Sequence, residues 1–499
     1  MGIDLSTPGG AVIALLPEII LSAWALVVLL VVGWRHRTAH DTRLAGTLSI
    51  VGYILAVLAT GWLAWSGASA DGLPQMIALD GFRFASHALL LWIGGAVAVL
   101  SLRWLERQGI VAPEYYVLVM LATVGMMLLA GAADLITLFL GLEMMSIAVY
   151  ALTGYDRTRR SSAEAGLKYF LIGAFASGFL LYGIALLYGA TGQFNLSLIG
   201  AQLTATEPTL MAKMGVGLLL IGFGFKIAAV PFHAWAPDVY EGAPTPVTAL
   251  MAAGVKAAAF FALARVLAEA FPAYVDIWRP VIGALAVVTI LVGNLVALPQ
   301  QSIKRMLAYS AIAHAGYLLL ALWAQSDRGT AAVLVYLLAY VVTTIATFGI
   351  LASIERAGAR TVLISDLEGL YSVRPFASLG LSICMLSLLG FPGTFGFIGK
   401  WFLITAPLAE GNLLLPIVAM IGSGISIGYY LPVILAMTLK PVRTRSAHQT
   451  IRFPLPAKIV VAICVIGILV LGVWPNEVLN FASQEAVQLR QLATPILIR

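Results

Sequence analysis

Runs of about twenty apolar residues, separated by short polar stretches, restrict this chain more than any other feature. A helix needs about 20 apolar residues to cross a hydrocarbon core roughly 30 Å thick, and such runs recur between residues 12 and 474. Backbone groups cannot be left unpaired in lipid, so only helices or closed barrels span it. Strand-length alternation is absent, which leaves an all-α polytopic membrane protein. Composition agrees: 61% of the 499 residues are hydrophobic and 10% are charged, with a mean hydropathy of +0.97.

Apolar windows between polar punctuation place spans near 12–34, 44–66, 83–105, 115–133, 135–155, 163–188, 211–236, 246–271, 278–298, 304–324, 329–353, 375–406, 413–439 and 456–474, about 14 transmembrane helices. The fourth and fifth are separated only by Asp134, so a tight turn is expected there. The stretch MGIDLSTPGG lacks a basic n-region, and Pro17 and Glu18 stand in the first run, so that run is expected to be retained as a span. With alternating crossings, eighteen connection lysines and arginines fall on one side, among them Arg35, Arg37, Arg43, Lys304, Arg305, Arg356, Arg360, Arg443, Arg445 and Arg452. Six fall on the other: Arg83, Lys213, Arg279, Arg328, Arg490 and Arg499. The positive-inside rule then puts both termini outside the cytoplasm or its organellar equivalent. The net charge of +6 is thus a topology signal, and no nucleic-acid partner is expected.

Five basic residues remain within spans: Lys168, Lys226, Lys256, Arg265 and Lys400. A cation at a helix centre costs about 2.5–3.5 kcal/mol on insertion scales, so several together must face protein or water. Two of these lysines stand beside helix breakers. The seventh span holds Lys226 and Pro231, and the twelfth runs through LLGFPGTFGFIGKW, whose glycines and Pro392 interrupt a helix before Lys400. Each broken span is fourth in a block of five, spans 4–8 and 9–13. Five is odd, so the blocks are expected to be two inverted repeats. The domains that follow are an N-terminal three-helix segment (1–110), a first five-helix repeat (111–273), a second (274–440), and a C-terminal helix with its tail (441–499).

Lys226 lies roughly 18 Å into its span at 1.5 Å per residue, too deep to reach the interface easily. It is a candidate to gain and lose a proton, with a structural ion pair as the alternative. Glu143, the carboxylate in mid-span, is expected to pair with it. Lys256 lies among small side chains that leave room for water. His314 is central in the tenth span, a relay candidate or a packing histidine. His233, just past Pro231, is a relay candidate at carbonyls freed by the break. Lys168 is four residues past Glu164 and is a candidate for proton transfer, with snorkelling as the equal alternative, while Arg265 is expected to snorkel or face an interface. Asp238 and Glu241 make an acidic loop that either feeds protons inward or caps a helix. Cys384 and Cys464 are too few for an iron–sulfur cluster or structural zinc, so no cofactor or metal is expected on this chain. A water-linked set of titratable groups at membrane depth, with no substrate-binding Asp/Arg pocket, suits proton transfer.

The stretches GFGFKIAAVPFHAWAPDVYEGAPTPVTALMAAGVKAAAF and LVALPQQSIKRMLAYSAIAHAGYLLL resemble signature regions of the antiporter-like subunits of respiratory complex I. SLLGFPGTFGFIGKW is similar to their twelfth-helix segment, and the resemblance spans nearly the whole chain. It implies a proton-translocating membrane-arm subunit of an NADH-quinone oxidoreductase, in a bacterial inner membrane with periplasmic termini. NADH, FMN, iron–sulfur clusters and quinone would then belong to partner subunits. The implied partners are other membrane-arm and peripheral-arm subunits, neighbouring antiporter-like subunits included, and lipid. Glu143 corresponds to the fifth-helix glutamate, Lys226 to the seventh-helix lysine paired with it, Lys256 to the eighth-helix lysine and Lys400 to the twelfth-helix lysine on the exit side. His314 falls near a position where other members carry polar relay groups. The alternatives are a subunit of a multi-subunit cation/proton antiporter or membrane-bound hydrogenase, a stand-alone solute transporter, and a structural spacer.

Overall fold

In the computed structural model, which describes residues 2–5, 7–34, 38–71, 76–355, 362–442 and 454–493, the apolar runs are helical. In chain order the principal helices are α1 (Leu16–Gly33), α2 (Ala39–Trp65), α3 (Gly81–Arg107), α4 (Glu114–Gly131), α5 (Leu135–Thr153), α6 (Arg160–Thr191), α7 (Leu210–Lys226), α8 (Trp235–Gly242), α9 (Thr245–Glu269), α10 (Pro272–Ala297), α11 (Ile303–Ala324), α12 (Asp327–Ile354), α13 (Pro375–Leu389), α14 (Phe395–Ala409), α15 (Leu414–Leu439), α16 (Leu455–Val473) and α17 (Asn476–Ala493). Among the described residues, twelve of these are long and apolar enough to cross a membrane, all but α7, α8, α13, α14 and α17. The only sheet among the described residues is a parallel pair, β1 (Gly2–Asp4) with β2 (Ser69–Asp71). Arg35, Arg37, Arg356, Arg360, Arg443, Arg445, Arg452 and Arg499, used above for topology, lie outside the described residues.

The turn expected at Asp134 is present. Its Oδ1 accepts from the backbone N–H groups of Ile136 and Thr137 at 2.8 Å each, capping α5 directly after α4 ends. Glycines bring these two backbones into contact: a Cβ on Gly125 would lie 2.3 Å from Met145 N, and one on Gly141 2.5 Å from Leu129 N.

Both expected breaks are present too. The helix α7 stops at Lys226, the chain passes Ala228 at φ +58° and Pro231, and α8 begins at Trp235. The helix α13 stops at Leu389, Gly390 and Gly393 take φ +85° and +87°, and α14 begins at Phe395. Only glycine adopts that left-handed backbone at little steric cost.

Packing sorts the helices by their outward face. Nearly every side of α9, α11 and α12 is covered, whereas α1, α6, α15 and α16 keep wide apolar surfaces. Beyond the last long helix, the tail expected after residue 474 folds in part as the amphipathic helix α17. Its Ala482, Ala486 and Leu489 recur at helical spacing and are buried.

Candidate functional site

The buried lysines sit where helices are interrupted. Lys226 closes α7, and its ammonium donates to Ser146 Oγ at 2.7 Å and Tyr150 OH at 3.2 Å, both on α5. The Tyr150 and Phe225 rings also face the ammonium, their centroids at 5.4 and 5.6 Å. Glu143 lies one helical turn before Ser146, but no ion pair joins it to Lys226, and its Oε1 is buried without a hydrogen-bond partner. The direct pair expected from the sequence is therefore replaced by hydroxyls. Ser146 and Tyr150 occupy the ammonium, and Glu143 acts on it through space.

At this break Phe225 O keeps a backbone partner, Ala228 N at 3.0 Å, and gains a second from a side chain. Trp235 Nε1 donates to Phe225 O at 3.1 Å, and Thr289 Oγ1 on α10 accepts from Val230 N at 3.0 Å. His233 is half-buried and its Nδ1 has no partner.

Lys256 follows a π-helical turn, Leu250–Val255, a widening of the helix often found at functional positions. Its ammonium donates to Ala311 O on α11 and faces the Tyr340 ring at 5.7 Å. One turn along α11, His314 bonds through Nδ1 to Tyr336 OH and through Nε2 to Tyr430 OH, the latter at 3.0 Å. Tyr430 OH also meets Ser310 Oγ. Three residues further, the Tyr317 ring faces Lys400 with its centroid 5.0 Å from Nζ. Lys400 itself donates to Leu389 O at 2.8 Å, the carbonyl left open where α13 ends, and to Ser423 Oγ at 3.0 Å. Asn294 ties Tyr317 to Tyr429, donating at 3.2 Å to one hydroxyl and accepting at 2.8 Å from the other. One stripe of α11, namely Ala311, His314 and Tyr317, thus touches both Lys256 and Lys400.

Lys168 is partly exposed and pairs with Glu164 at 2.8 Å and with Asp238 at 3.0 Å. Arg305 holds the other Asp238 oxygen at 2.7 Å and Glu241 at 3.3 Å. A cavity of about 320 Å³ is lined by Glu164, Lys168, Asp238 and Glu241, so the acidic loop and Lys168 form one ionic cluster. Burial would raise the Asp238 pKa, but the Arg305 and Lys168 contacts outweigh it and hold the carboxyl below its ordinary value.

Two buried networks were not foreseen. Arg265, expected to snorkel, is fully buried and bound by Asp80 at 2.8 and 2.9 Å and by Glu269 at 2.7 Å. Arg83, read as a loop cation, is also buried; it pairs with Glu18 at 2.8 Å, and His87 Nε2 meets the same oxygen at 2.7 Å. Lys304, likewise read as a loop residue, is buried and donates to Ala243 O at 2.6 Å. The available signal was the balance of charge near span ends: Glu18, Asp80 and Glu269 are carboxylates beside apolar runs with arginines to answer them.

Residues 132–426 match the family described as NADH:quinone oxidoreductase/Mrp antiporter, transmembrane. The chain belongs to this family. A member similar to it is NADH-quinone oxidoreductase subunit N 2 of Roseiflexus castenholzii, 44% identical over 480 residues that cover 93% of this chain and 94% of that one. A chain of respiratory complex I from Thermus thermophilus with bound aureothin has a similar structure, with a TM-score of 0.79 at 35% identity, covering 94% of this chain and 99% of that one. A chain of the Mrp complex from Dietzia sp. matches with a TM-score of 0.82 at 22% identity, covering 95% and 98%, a likeness of fold alone. The family match includes Glu143, Lys226, Lys256, His314 and Lys400, while the Arg83 and Glu18 network lies before it.

Proposed function

We propose that this chain is a proton-translocating membrane-arm subunit of an NADH-quinone oxidoreductase, a translocase with no redox centre of its own. The observation that carries the reading is the α11 stripe on which His314 stands between Ala311, which meets Lys256, and Tyr317, which faces Lys400. Each imidazole nitrogen of His314 meets a tyrosine hydroxyl, and a hydroxyl both donates and accepts, so a proton taken up at one nitrogen can be released at the other. The relatives named NADH-quinone oxidoreductase and the similar chain in respiratory complex I support the type of assembly. NADH, FMN, iron–sulfur clusters and quinone then belong to partner subunits.

In this reading the ionic cluster of Lys168 and Asp238 marks the uptake side. Lys226 receives the proton, with Glu143 modulating its hold and His233 at the adjacent break serving water. Lys256, His314 and Lys400 carry the proton onward. Counting α7 with α8 and α13 with α14 as one broken crossing each brings twelve spans to about 14. It also makes 111–273 and 274–440 two inverted repeats. Their packing supports this: α4 lies close along α5 as α10 does along α11, and α6 packs against both α7 and α8 as α12 does against both α13 and α14. Both termini are then periplasmic in a bacterial inner membrane.

The test is proton pumping by the intact complex in proteoliposomes. Lys256→Ala is expected to cut pumping at least about tenfold, a loss of about 1.4 kcal/mol or more in the transfer step, while the complex still assembles. Full pumping by an assembled variant would exclude the relay. A cation/proton antiporter subunit, which the Mrp fold likeness keeps in view, would instead be isolated without flavin or iron–sulfur partners.

A further inference from the structure

Between α2, α3, α9, α12, α16 and α17 lies a cavity of about 780 Å³ that the proton path does not use. That volume is within the roughly 300–1,000 Å³ of sites for small molecules. Its walls are apolar, with Phe84, Trp92, Phe261, Leu338 and Phe481 facing inward, and one ionisable acid, Glu485 of α17, lines it. Along α3 the lining runs from Gly81 to Trp92, roughly 16 Å at 1.5 Å per residue, close to half of a hydrocarbon core of about 30 Å. The cavity therefore has the length of one lipid leaflet. Glu485 stands at the end beside Gly81, where α3 begins and a headgroup would sit.

Glu485 is only 9% exposed, and its Oε2 has no hydrogen-bond partner. Its surroundings hold a surplus of acid: Asp80 and Glu269 already share the single guanidinium of Arg265, and Arg83 is engaged by Glu18. Burial raises the Glu485 pKa, and the negative charge of Asp80 raises it further, a burden that a bound cation would relieve.

We infer that the cavity holds one acyl chain of a lipid with a primary ammonium headgroup, of the phosphatidylethanolamine kind, and that the ammonium meets Glu485. An anionic lipid would bring its charge against the surplus carboxylates. A quinone would leave Glu485 Oε2 without a cation. The bound lipid then fastens the helices α2 and α3 to α12 and α17.

The intact complex is placed in nanodiscs of phosphatidylethanolamine and phosphatidylglycerol in equal amounts, with a diazirine on the acyl chain of one or the other. Adducts are mapped by mass spectrometry to the peptides carrying Trp92 and Phe481. Phosphatidylethanolamine is expected to label them at least about tenfold more than phosphatidylglycerol, the worth of one hydrogen bond to a charged group. Glu485→Gln is expected to bring that ratio near one, and a diazirine-bearing quinone to label neither peptide. Equal labelling by the two lipids, labelling by the quinone, or a ratio unchanged by Glu485→Gln would each overturn the inference. The lipid comparison in the unaltered complex decides the matter even if the variant does not assemble.

Discussion

The two helix breaks hold the same side chain by different means. At Lys226 the break is braced by Trp235, which adds a second hydrogen bond to Phe225 O, the ammonium rests on two hydroxyls, and a carboxylate, Glu143, acts from further off. At Lys400 the ammonium itself takes the freed carbonyl, with Ser423 and the Tyr317 ring completing its shell. The contrast extends beyond the lysines. The first half is laced with ion pairs around Arg265 and Asp238. Around Lys400 and His314 lie tyrosines, Asn294 and serines. Charges act on one another over many ångströms, whereas dipoles act mainly on contact. The first lysine can therefore be addressed from a distance, and the second chiefly through what reaches it along α11.

The widest gap should come from breaking charge on one side and dipole on the other. Arg265→Met leaves Asp80 and Glu269 buried without their cation and is expected to cost about 3–5 kcal/mol, read as loss of assembled complex and a lower melting temperature. Tyr430→Phe, which removes a neutral hydroxyl from His314 and Ser310, is expected to cost about 0.5–1.5 kcal/mol for each hydrogen bond lost. Similar losses from the two would erase the distinction.

Pumping separates the halves next. Glu143→Gln removes the carboxylate that acts on Lys226 and should lower pumping about tenfold or more, with assembly intact. Ser423→Ala beside Lys400 should lower it less than Glu143→Gln does. The reverse order would move the charge-sensitive step to the second half.

The mildest effect is at the ionic cluster. The Asp238 pKa is held below its ordinary value, so its stabilising contribution is present above the ordinary carboxylate pKa of about 3.9 and fades as pH falls through and below it. Asp238→Asn should flatten the acid limb of a stability profile below about pH 4, whereas an unchanged limb would place that sensitivity on other groups. Lys168→Ala, at a partly exposed pair, should change stability by only about 0–1 kcal/mol.

Both breaks were readable in advance because proline and glycine act locally, and the lysines stood out because cations are rare in apolar runs. Their partners were harder to see. Arg265 and Asp80 are 185 positions apart, and a charge near a span end reads equally as snorkelling until a fold brings its counterion to it. Tyr336 and Tyr430 count with the hydrophobic residues in the composition, which hides the two hydroxyls that meet His314. Glu143 and Lys226 were matched by charge, yet only side-chain packing decides that Ser146 and Tyr150 reach the ammonium first. The helix α17 was missed because windows tuned to long apolar runs pass over a narrow buried stripe.

The covered helix α9 bears on how the chain is made. A nascent chain grows from its N-terminus, and each unpartnered cation in α9 burdens its passage into lipid by about 2.5–3.5 kcal/mol. Asp80 is already in place when Arg265 emerges, and Glu269 follows four residues later. Lys256 has no such welcome, since the carbonyl that receives it, on Ala311, is 55 residues from completion. The two cations of α9 thus differ in chain order: the counterions of Arg265 are made before it or four residues after it, and the acceptor of Lys256 belongs to a helix translated later.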